Sequence, residues 1–431
     1  MSETNELAIF RFAHAFASGA GTETYLEDLD KTLLNRNAWT IFRVYLTTDD
    51  PPGEKREESF EQGKLIRIPV HVEKRENNET RPERVRMERW IERVKLQVRD
   101  KILFNPFLYR MVFHGLVERI PTARRELEAL GVRDVFKDVL KLNRIDLLVM
   151  HHLGGRDGAE LVEESVSNGI PYVFVNHYSN DVLNHLSVRK QIAKASGIGG
   201  VSNVGVPRQF RHKFFNLSDG IDTEIFKIRK QRKETLRDDF PVVLLPARVT
   251  PSKGQRDLIE ACNILKREGI RMFAVMAGRI ESLSYFKELK QMALRNAVHK
   301  NVLFLGELST RQLREWFEIA EVLAFPTYHN EGLGRVLIES QAMHTPPISY
   351  IIGGTPEAII NGETGYLVDK GDVNEFAAKL KDLLVDIKLR RKMSIAGRRF
   401  VENRFSLGAL AERHEKFYLK AAKFFENTDS T

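Results

Sequence analysis

Residues 240–278 read FPVVLLPARVTPSKGQRDLIEACNILKREGIRMFAVMAG, and this stretch decides the fold of the chain. Two apolar, β-branched runs, Val242–Val249 and Met272–Ala277, enclose a Pro/Gly turn and a segment of helical periodicity. Such runs are typical of strands, and strands that alternate with helices form βαβ units. The stretch therefore predicts an α/β domain built on a parallel sheet.

The same alternation continues over almost the whole chain. In the first half, the predicted strands are Leu7–Phe12, Trp39–Leu46, Lys64–Val70, Ile145–Met150, Tyr172–Asn176 and Ile198–Ser202. In the second half, they are Val242–Val249, Met272–Ala277, Val302–Leu305, Val322–Pro326, Pro347–Ile351 and Gly365–Val368. Two separate series of strands predict two doubly wound, Rossmann-like domains that face a cleft, whereas a barrel needs eight evenly spaced units.

Two segments mark the expected boundaries. A turn-rich stretch that passes into a charged linker, residues 216–241, separates the two strand series. The apolar spacing of FSLGALAERHEKFYLKAAKFF after residue 404 predicts one long amphipathic helix. We expect a first domain over residues 1–220, a second domain over 221–404, and a C-terminal helix within 405–431 that packs back on the first domain.

The composition excludes several classes of protein. The 431 residues are 42% apolar and 29% charged. The single cysteine, Cys262, can form neither an internal disulfide nor a Cys-rich zinc site. No apolar run approaches the roughly 20 residues that span a bilayer, and the first residues lack the basic region and apolar core of a signal peptide. We therefore expect a cytoplasmic protein.

Most of the positive charge lies in one segment. The chain carries a formal charge of +8, and residues 81–145 hold 16 basic and 9 acidic residues. Apolar residues recur there at helical spacing, so we interpret the segment as a basic amphipathic helix that contacts an anionic membrane surface or an anionic acceptor. A solvated helical face with Glu–Arg pairs is the alternative. No nucleic-acid-binding motif accompanies the charge, so no nucleic-acid partner is expected.

A basic loop follows the strand that ends at Pro246. Arg248 and Lys253 lie five residues apart in sequence, across a Pro/Gly turn that opens a helix. A planar guanidinium and a mobile ammonium can converge on one polyanion. The pair therefore indicates a phosphate-binding loop, with ordinary surface charge as the alternative.

A glycine-rich turn with two carboxylates follows the strand that ends at Pro326. It reads NEGLGRVLIE, residues 330–339, and its glycines let an anionic ligand approach free N–H groups at the start of a helix near Leu333. Glu331 and Glu339 are about two helical turns apart, which is too far to share a proton but suits hydroxyl groups at two ends of a long ligand. The alternative is a glycine N-cap followed by a surface glutamate.

Further candidates follow strands of the first half. The loop FASGAGTE holds Gly19 and Gly21, whose small size permits close backbone approach, but it lacks a dinucleotide or Walker A fingerprint. His151 and His152 follow one predicted strand, and His177 follows the next. Residues at strand ends face the cleft of a doubly wound fold. A structural role is the alternative, and the histidine spacing does not suit zinc.

Taken together, the motifs of the second half resemble the retaining, nucleotide-sugar-dependent glycosyltransferases of the GT-B fold, family 4, also called group 1. The resemblance covers residues 241–385 and rests on PARVTPSKG, the AGR turn, EGLGRVLIE, GGTPEAI and GETGYLV. In the first half it rests on the Gly19 loop, DLLVMH before His151, NHYSN around His177, and SDGIDTEIF, in which Asp219 replaces the usual Asn.

By this resemblance, the second domain binds the sugar donor and the first domain faces the acceptor. Arg248 and Lys253 would hold the donor diphosphate and neutralise the leaving group, Glu339 would bind the ribose, and Glu331 the sugar hydroxyls. His151 would contact the donor sugar near the reacting carbon. The other implied donor contacts are Gly19, Gly21, Gly278, Arg279, Gly332, Leu333 and Gly334, and the acceptor-side candidates are His152 and His177.

The resemblance implies a metal-independent, retaining hexosyltransferase with a nucleotide-sugar co-substrate, most commonly a UDP-sugar, and no other cofactor. It implies a glycan, glycolipid or small-molecule acceptor in polysaccharide or related synthesis, and a cytoplasmic enzyme peripheral at the inner face of the membrane. The Asp-x-Asp at Asp28–Asp30 lies within a predicted helix and does not indicate a metal–diphosphate site. The alternatives are transfer to a small soluble acceptor, a non-catalytic nucleotide-sugar-binding subunit, and a sugar-nucleotide epimerase.

Overall fold

A computed structural model of the chain confirms the α/β class and the two parallel-sheet, Rossmann-like domains. The structure describes residues 7–13, 20–37, 39–47, 56–71, 132–142, 144–151, 155–176, 183, 186–203, 206–228 and 240–426. Among these residues, no helix is both long and apolar enough to cross a membrane.

The first sheet uses strands from the first half of the chain. They are β1 (Ala8–Ala13), β2 (Thr40–Thr47), β3 (Arg56–Ser59), β4 (Lys64–His71), β5 (Leu147–Met150), β6 (Tyr172–Asn176), β7 (Gly197–Gly200) and β8 (Phe214–Asn216). Their order is β3-β4-β2-β1-β5-β6-β7-β8, and the pairs are parallel except β3–β4. The order reverses between β1 and β5, so the carboxyl ends of these two strands mark the switch point of the sheet.

Both faces of the first sheet are covered, which explains why the central strand β5, LLVM, is apolar and buried throughout. The helices are α1 (Ala20–Arg36), α2 (Val132–Leu142), α3 (Gly155–Ser167) and α4 (Leu186–Ala193). Leu148 of β5 packs in one cluster with Phe136 of α2, whereas the adjacent Leu147 packs in another with Leu29 of α1. This alternation follows from the two-residue period of a strand.

The second sheet repeats this design with a different strand order. Its strands are β9 (Val242–Pro246), β10 (Phe273–Ala277), β11 (Val302–Gly306), β12 (Val322–Phe325), β13 (Pro347–Tyr350) and β14 (Tyr366–Val368). The order is β11-β10-β9-β12-β13-β14, and every pair is parallel. Strand order therefore reverses between β9 and β12.

Helices cover both faces of the second sheet. They are α5 (Gln255–Arg267), α6 (Leu283–Arg295), α7 (Thr310–Ile319), α8 (Arg335–Ala342), α9 (Thr355–Ala358), α10 (Val373–Val385) and α11 (Ile387–Arg404). Leu245 packs with Leu258 of α5 on one face, and Leu244 packs with Leu337 of α8 on the other. The burial of successive residues in β9 shows that this strand is central.

The C-terminal helix α12 (Leu407–Glu426) packs on the first domain. Phe417 joins the cluster that contains Leu147, and the Tyr25 hydroxyl of α1 lies 2.7 Å from Nε2 of His414. A Cβ at Gly197 of β7 would lie 2.6 Å from the Phe417 ring. Gly197 therefore makes room for α12, because a side chain there would push the helix away.

Hydrogen bonds join α12 to the segment between the two sheets. The Arg413 guanidinium donates to the carbonyl oxygens of Leu217 at 2.8 Å and Arg404 at 2.7 Å. The N–H of Ile221 donates to the carbonyl of Phe405 at 2.8 Å. The chain thus passes from the second domain to the first beside the point where it entered the second.

The described residues contain all twelve predicted strands and two more. β3 escapes prediction because its sequence, REES, is a charged edge strand without apolar alternation, and β8 has only three residues. The predicted strand Val242–Val249 ends at Pro246, and Val249 forms an isolated bridge with Ile280. The C-terminal helix begins at Leu407, after a break that separates it from α11.

Candidate active site

Two loops meet where the order of the second sheet reverses. The basic loop (residues 247–254) follows β9, and the glutamate turn (residues 327–334) follows β12. In open α/β sheets, ligands bind outside the carboxyl ends of the strands at such a switch point. The topology therefore brings together two motifs that lie far apart in sequence.

Backbone contacts hold the basic loop against the glutamate turn. The carbonyl of Ser252 accepts hydrogen bonds from the N–H of Tyr328 at 2.8 Å and the hydroxyl of Thr327 at 3.2 Å. Gly254 has a φ of 73°, and a Cβ there would lie 1.9 Å from the carbonyl oxygen of Pro326. Glycine satisfies both requirements, since it adopts the left-handed conformation and has no side chain to clash.

Lys253 and Glu331 form an ion pair across this contact. The Lys253 ammonium donates a hydrogen bond to Oε1 of Glu331, and the two side chains are 11% and 18% exposed. Sheltered charges interact more strongly than exposed ones, since salt and water screen them less. The structure thus brings the predicted diphosphate-binding lysine beside the predicted sugar-binding glutamate.

Arg248 pairs with a different carboxylate from Lys253 in this structure. Arg248 Nη1 donates to Oε1 of Glu281 at 2.7 Å, and Arg279 Nη2 donates to the same oxygen at 3.0 Å. These hydrogen bonds, that of Arg248 first, hold the pKa of the Glu281 carboxyl below its usual range. The Arg248 side chain is 56% exposed. Each cation of the basic loop therefore has its own carboxylate.

The AGR turn, residues 277–279, explains why Arg248 pairs with Glu281. A Cβ at Gly278 would lie 2.2 Å from the carbonyl oxygen of Ala247, and the N–H of Val249 donates to the carbonyl of Arg279 at 2.9 Å. This close approach places Glu281 next to Arg248. Sequence reasoning did not identify Glu281 as a site residue. Its position two residues after Arg279 is the signal that could have found it.

A second glycine contact supports the glutamate turn. A Cβ at Gly354 would lie 1.6 Å from the carbonyl oxygen of Gly332, and the N–H of Gly354 donates to the carbonyl of Glu331 at 3.0 Å. Leu333 is buried, and Gly334 is the N-cap of α8 with a φ of 81°. α8 therefore begins at Arg335, not near Leu333, because the left-handed Gly334 cannot continue a helix.

Glu339 lies one helical turn into α8, beside Arg335. The Arg335 Nε lies 3.7 Å from Oε1 of Glu339, and Arg335 Nη1 donates to Oδ1 of Asp219 at 3.2 Å. Burial raises the pKa of the Glu339 carboxyl, and Arg335 opposes that rise. Arg335 is not among the predicted site residues, although its i,i+4 spacing to Glu339 is the signal of a helical ion pair.

A buried aspartate ties three elements together near the same loops. Asp257 in the first turn of α5 is 6% exposed, and its Oδ2 accepts hydrogen bonds from the hydroxyls of Tyr328 and Tyr350, both at 2.6 Å. Burial and these bonds raise the pKa of Tyr328 to about 12 and that of Tyr350 above its usual range. No pattern in the sequence marks this cluster, since its members lie on three separate segments.

In the first domain, the structure locates two of the candidates. His151 directly follows β5 and is 5% exposed, and Gly21 lies in the first turn of α1. Gly19, His152 and His177 lie outside the described residues. The basic segment 81–145 is described only over 132–142 and 144–145. In the described ranges, no group of three or more His, Cys, Asp or Glu side chains is arranged to hold a metal ion.

The two parallel sheets, each with its own switch point, form the GT-B fold. Residues 226–400 match the family model of the group 1 glycosyl transferases. Solved structures share the whole fold at low sequence identity. A glycosyltransferase from Rickettsia africae aligns with a TM-score of 0.67 and 17% identity over 97% of this chain and 99% of that chain. Anabaena HepE, solved with UDP and glucose, aligns with a TM-score of 0.64 and 16% identity over 95% and 98%.

Curated relatives match through part of their length. The capsular polysaccharide biosynthesis glycosyltransferase CapM of Staphylococcus aureus is 32% identical over 209 residues, 47% of this chain and 53% of CapM. A GDP-mannose-dependent monoacylated alpha-(1-6)-phosphatidylinositol monomannoside mannosyltransferase of Corynebacterium glutamicum is 33% identical over 215 residues, 46% of this chain and 54% of that enzyme. The chain thus spans about half the length of the curated relatives it matches.

Proposed function

We propose that the chain is a retaining glycosyltransferase that moves a sugar from a nucleotide diphosphate sugar to an acceptor hydroxyl in polysaccharide, lipopolysaccharide, glycolipid or related glycoconjugate synthesis. The observation that carries the proposal is the Lys253–Glu331 pair, which lies at the switch point of the second sheet inside the segment that matches group 1 glycosyl transferases. An ammonium suits a diphosphate, and an adjacent carboxylate suits the hydroxyls of the attached sugar.

The two domains have separate roles in this proposal. Residues 221–404 bind the donor, and residues 1–220 with the helix of 405–431 face the acceptor. His151 lies at the end of β5, where the first sheet has its own switch point, and contacts the donor sugar near the reacting carbon. His152 and His177 remain the acceptor-side candidates.

In the proposed reaction, the bond between the anomeric carbon and the diphosphate oxygen breaks as the acceptor oxygen bonds to the same face of that carbon. The acceptor proton passes to the leaving diphosphate, so no protein nucleophile is consumed. Lys253 and Arg248 neutralise the charge that grows on the leaving group, and fixed cations at such a position lower the barrier. Glu339 binds the ribose. The reaction uses neither a metal nor another cofactor, and we expect full activity in EDTA.

A binding panel tests the donor half of the proposal. Thermal shift and calorimetry would use UDP, GDP, ADP and their common sugar conjugates on the wild type and on Lys253→Ala. We expect selective binding of one nucleotide that the variant loses. UDP is the expected base, and the GDP-mannose dependence named for the Corynebacterium relative makes GDP the main competitor.

A matched control removes an ion pair far from the loops. Lys381 pairs with Glu268 on the exposed surface at 2.8 Å, and Lys381→Ala should leave nucleotide binding unchanged. Absence of binding to every nucleotide by the wild type would overturn the donor site. Release of a free epimerised nucleotide sugar without any acceptor would instead establish an epimerase.

The acceptor side includes a proposed contact with an anionic membrane surface through residues 81–145, where most of the net positive charge lies. Sedimentation with vesicles that contain about a third anionic phospholipid tests it. Binding that falls with added salt would support a membrane-associated enzyme at the inner face, whereas equal recovery with neutral and anionic vesicles would favour a small soluble acceptor.

A further inference from the structure

Arg335 lies among three carboxylates that belong to different parts of the fold. Asp219 comes from the segment that joins the two sheets, Asp28 from α1 of the first domain, and Glu339 from the same helix as Arg335. Arg335 Nη1 donates to Asp219 Oδ1 at 3.2 Å, and Arg335 Nε lies 3.7 Å from Glu339 Oε1. The charges of Arg335 and Asp28 also act on each other. Arg335 therefore interacts with carboxylates from both domains.

These charges are sheltered from solvent. The side chains of Arg335, Asp219 and Glu339 are 22%, 16% and 12% exposed. A carboxylate in such a place needs a nearby cation to stay ionised. Arg335 supplies that cation to Glu339. Three further ionisable groups, Asp222, Lys31 and Glu27, act on Asp28. Arg413 of α12 acts on Asp219, and its guanidinium donates to the Asp219 carbonyl oxygen at 3.3 Å.

The two contacts of Arg335 differ in kind. At 3.2 Å the contact with Asp219 is a weak hydrogen bond, whereas 3.7 Å is too long for one, so the contact with Glu339 is electrostatic. Arg335 Nε thus stabilises the negative charge of Glu339 from 3.7 Å, beyond hydrogen-bond distance. At that distance a ligand hydroxyl can still donate to Glu339 Oε1.

We infer that Arg335 is a positioning residue that keeps Glu339 ionised for a nucleotide ribose, and that Asp219 holds Arg335 back from closing on Glu339. The inference rests on the proposed function, in which Glu339 binds the ribose. It also explains the aspartate at position 219, where the family that this sequence resembles usually has Asn. With a neutral Asn, the guanidinium has no anionic anchor and turns two of its five N–H donors onto Glu339, because bidentate pairing with a carboxylate is its preferred geometry.

Calorimetry over pH 6 to 8.5 tests this arrangement with three variants. The probe is whichever of UDP, GDP and ADP the wild type binds most tightly. In Arg335→Met, Glu339 loses its counter-ion and protonates more readily, so the dissociation constant relative to wild type should rise about 10-fold at the acid end and less at the alkaline end. In Arg335→Lys, the retained charge should remove that pH trend.

Asp219→Asn provides the opposite perturbation in the same cluster. Glu339 stays ionised in this variant but is occupied by Arg335, so we expect affinity about 3- to 10-fold weaker than wild type with no pH trend in the ratio. A purely structural role of Arg335 predicts equal losses at every pH and no rescue by Lys. Thermal unfolding of each variant identifies a loss that comes from misfolding.

The outcomes separate this inference from the proposed function. Nucleotide binding by the wild type, together with pH-independent ratios in Arg335→Met, would overturn the positioning role and leave the donor site intact. Unchanged affinity in Asp219→Asn would overturn the anchoring role of Asp219. No nucleotide binding by the wild type would overturn the proposed function, and this inference with it.

Discussion

The two cations of the basic loop have opposite surroundings. Lys253 and Glu331 are 11% and 18% exposed, whereas Arg248 and Glu281 are 56% and 27% exposed. Both pairs have direct hydrogen bonds, so contact alone does not distinguish them. Exposed ion pairs contribute about 0–1 kcal/mol, and a sheltered charge is costly to leave unpaired. Loss of Lys253 should therefore cost more than loss of Arg248, although the two cations look equivalent in sequence.

Close approach of backbone segments explains why the Lys253–Glu331 pair is sheltered from solvent. Gly254 lets the basic loop touch Pro326 at the end of β12, and Gly354 lets the next segment touch Gly332. Lys253 and Glu331 therefore lie between three packed loops. Arg248 is five residues earlier, where the chain packs against the AGR turn, and its side chain is more than half exposed.

The largest effect is expected from Lys253→Ala. The change removes a charge-assisted hydrogen bond of about 1.5–3 kcal/mol to the diphosphate, which corresponds to about 10- to 150-fold in transfer. It also leaves the Glu331 carboxylate unpaired beside the phosphate. We therefore expect a loss at or above the upper end of that range, measured as kcat/KM for the donor.

A double variant sharpens this expectation. Glu331→Gln in the Lys253→Ala background removes the unpaired charge, so nucleoside diphosphate should bind more tightly to the double variant than to Lys253→Ala alone. The comparison forms a double-mutant cycle. Strictly additive effects on binding would show that the two side chains do not act as a pair.

The next effect concerns the glycine that supports the glutamate turn. In Gly354→Ala, the new Cβ overlaps the carbonyl of Gly332, so we expect a loss of about 2–3 kcal/mol in the free energy of unfolding, together with weaker nucleotide binding. Urea unfolding and calorimetry measure the two quantities.

Gly362→Ala is the matched control for this substitution. Gly362 has a φ of 78°, and a Cβ at this position would have no atom within 4 Å, so alanine there meets backbone strain without a clash. We expect about 1 kcal/mol of destabilisation and unchanged nucleotide affinity. Equal effects of the two variants on binding would contradict the supporting role of Gly354.

A smaller effect is expected at the tyrosines that tie the glutamate turn to α5. The pKa values of Tyr328 and Tyr350 lie above the ordinary value near 10, so the folded state retains these protons when the unfolded state has lost them. Stability from the raised pKa values is therefore complete below pH 10 and declines as the pH rises from about 10 towards 12.

Tyr350→Phe isolates this contribution. The variant should lose about 1 kcal/mol of unfolding free energy at pH 8, since a buried hydroxyl no longer donates to Asp257. The difference from wild type should shrink at pH 11, and lysine titration cancels because both proteins share it. Urea unfolding at pH 8 to 11 gives the measurement, and a constant difference would show that Tyr350 titrates normally.

The sequence predicted most of the fold because its strands are compact apolar runs. All twelve predicted strands are present, and the strand order places the basic loop beside the glutamate turn as a doubly wound sheet requires. The missed strand β3 has charged residues at an edge, where no burial imposes a pattern. Strands could be predicted from the sequence wherever both faces of the sheet are buried, because burial on both faces requires apolar residues.

The candidate site was less predictable, because its ion pairs depend on contacts between distant segments. Glu281 reaches Arg248 only because Gly278 packs on Ala247, and Asp219 reaches Arg335 across the junction of the two sheets. Each contact joins residues that are far apart in sequence, so no short, regular spacing could predict it. The Arg335–Glu339 pair is the exception, since both residues lie one turn apart on α8 and follow the i,i+4 rule.

Of the two cations of the basic loop, Arg248 should have the smaller effect on transfer, and Arg248→Ala tests their comparison most directly. Arg248 is exposed and already paired with Glu281, so it must give up a partner and water before it binds a phosphate. We expect kcat/KM to fall about 10-fold, the lower end of the range for a charge-assisted bond, and stability to change by less than about 0.5 kcal/mol. Added salt should narrow the gap from wild type, because exposed charges are screened. A loss as large as that of Lys253→Ala would show that Arg248 leaves Glu281 and joins Lys253 on the donor, and the divergence of the two cations would then end when the donor binds.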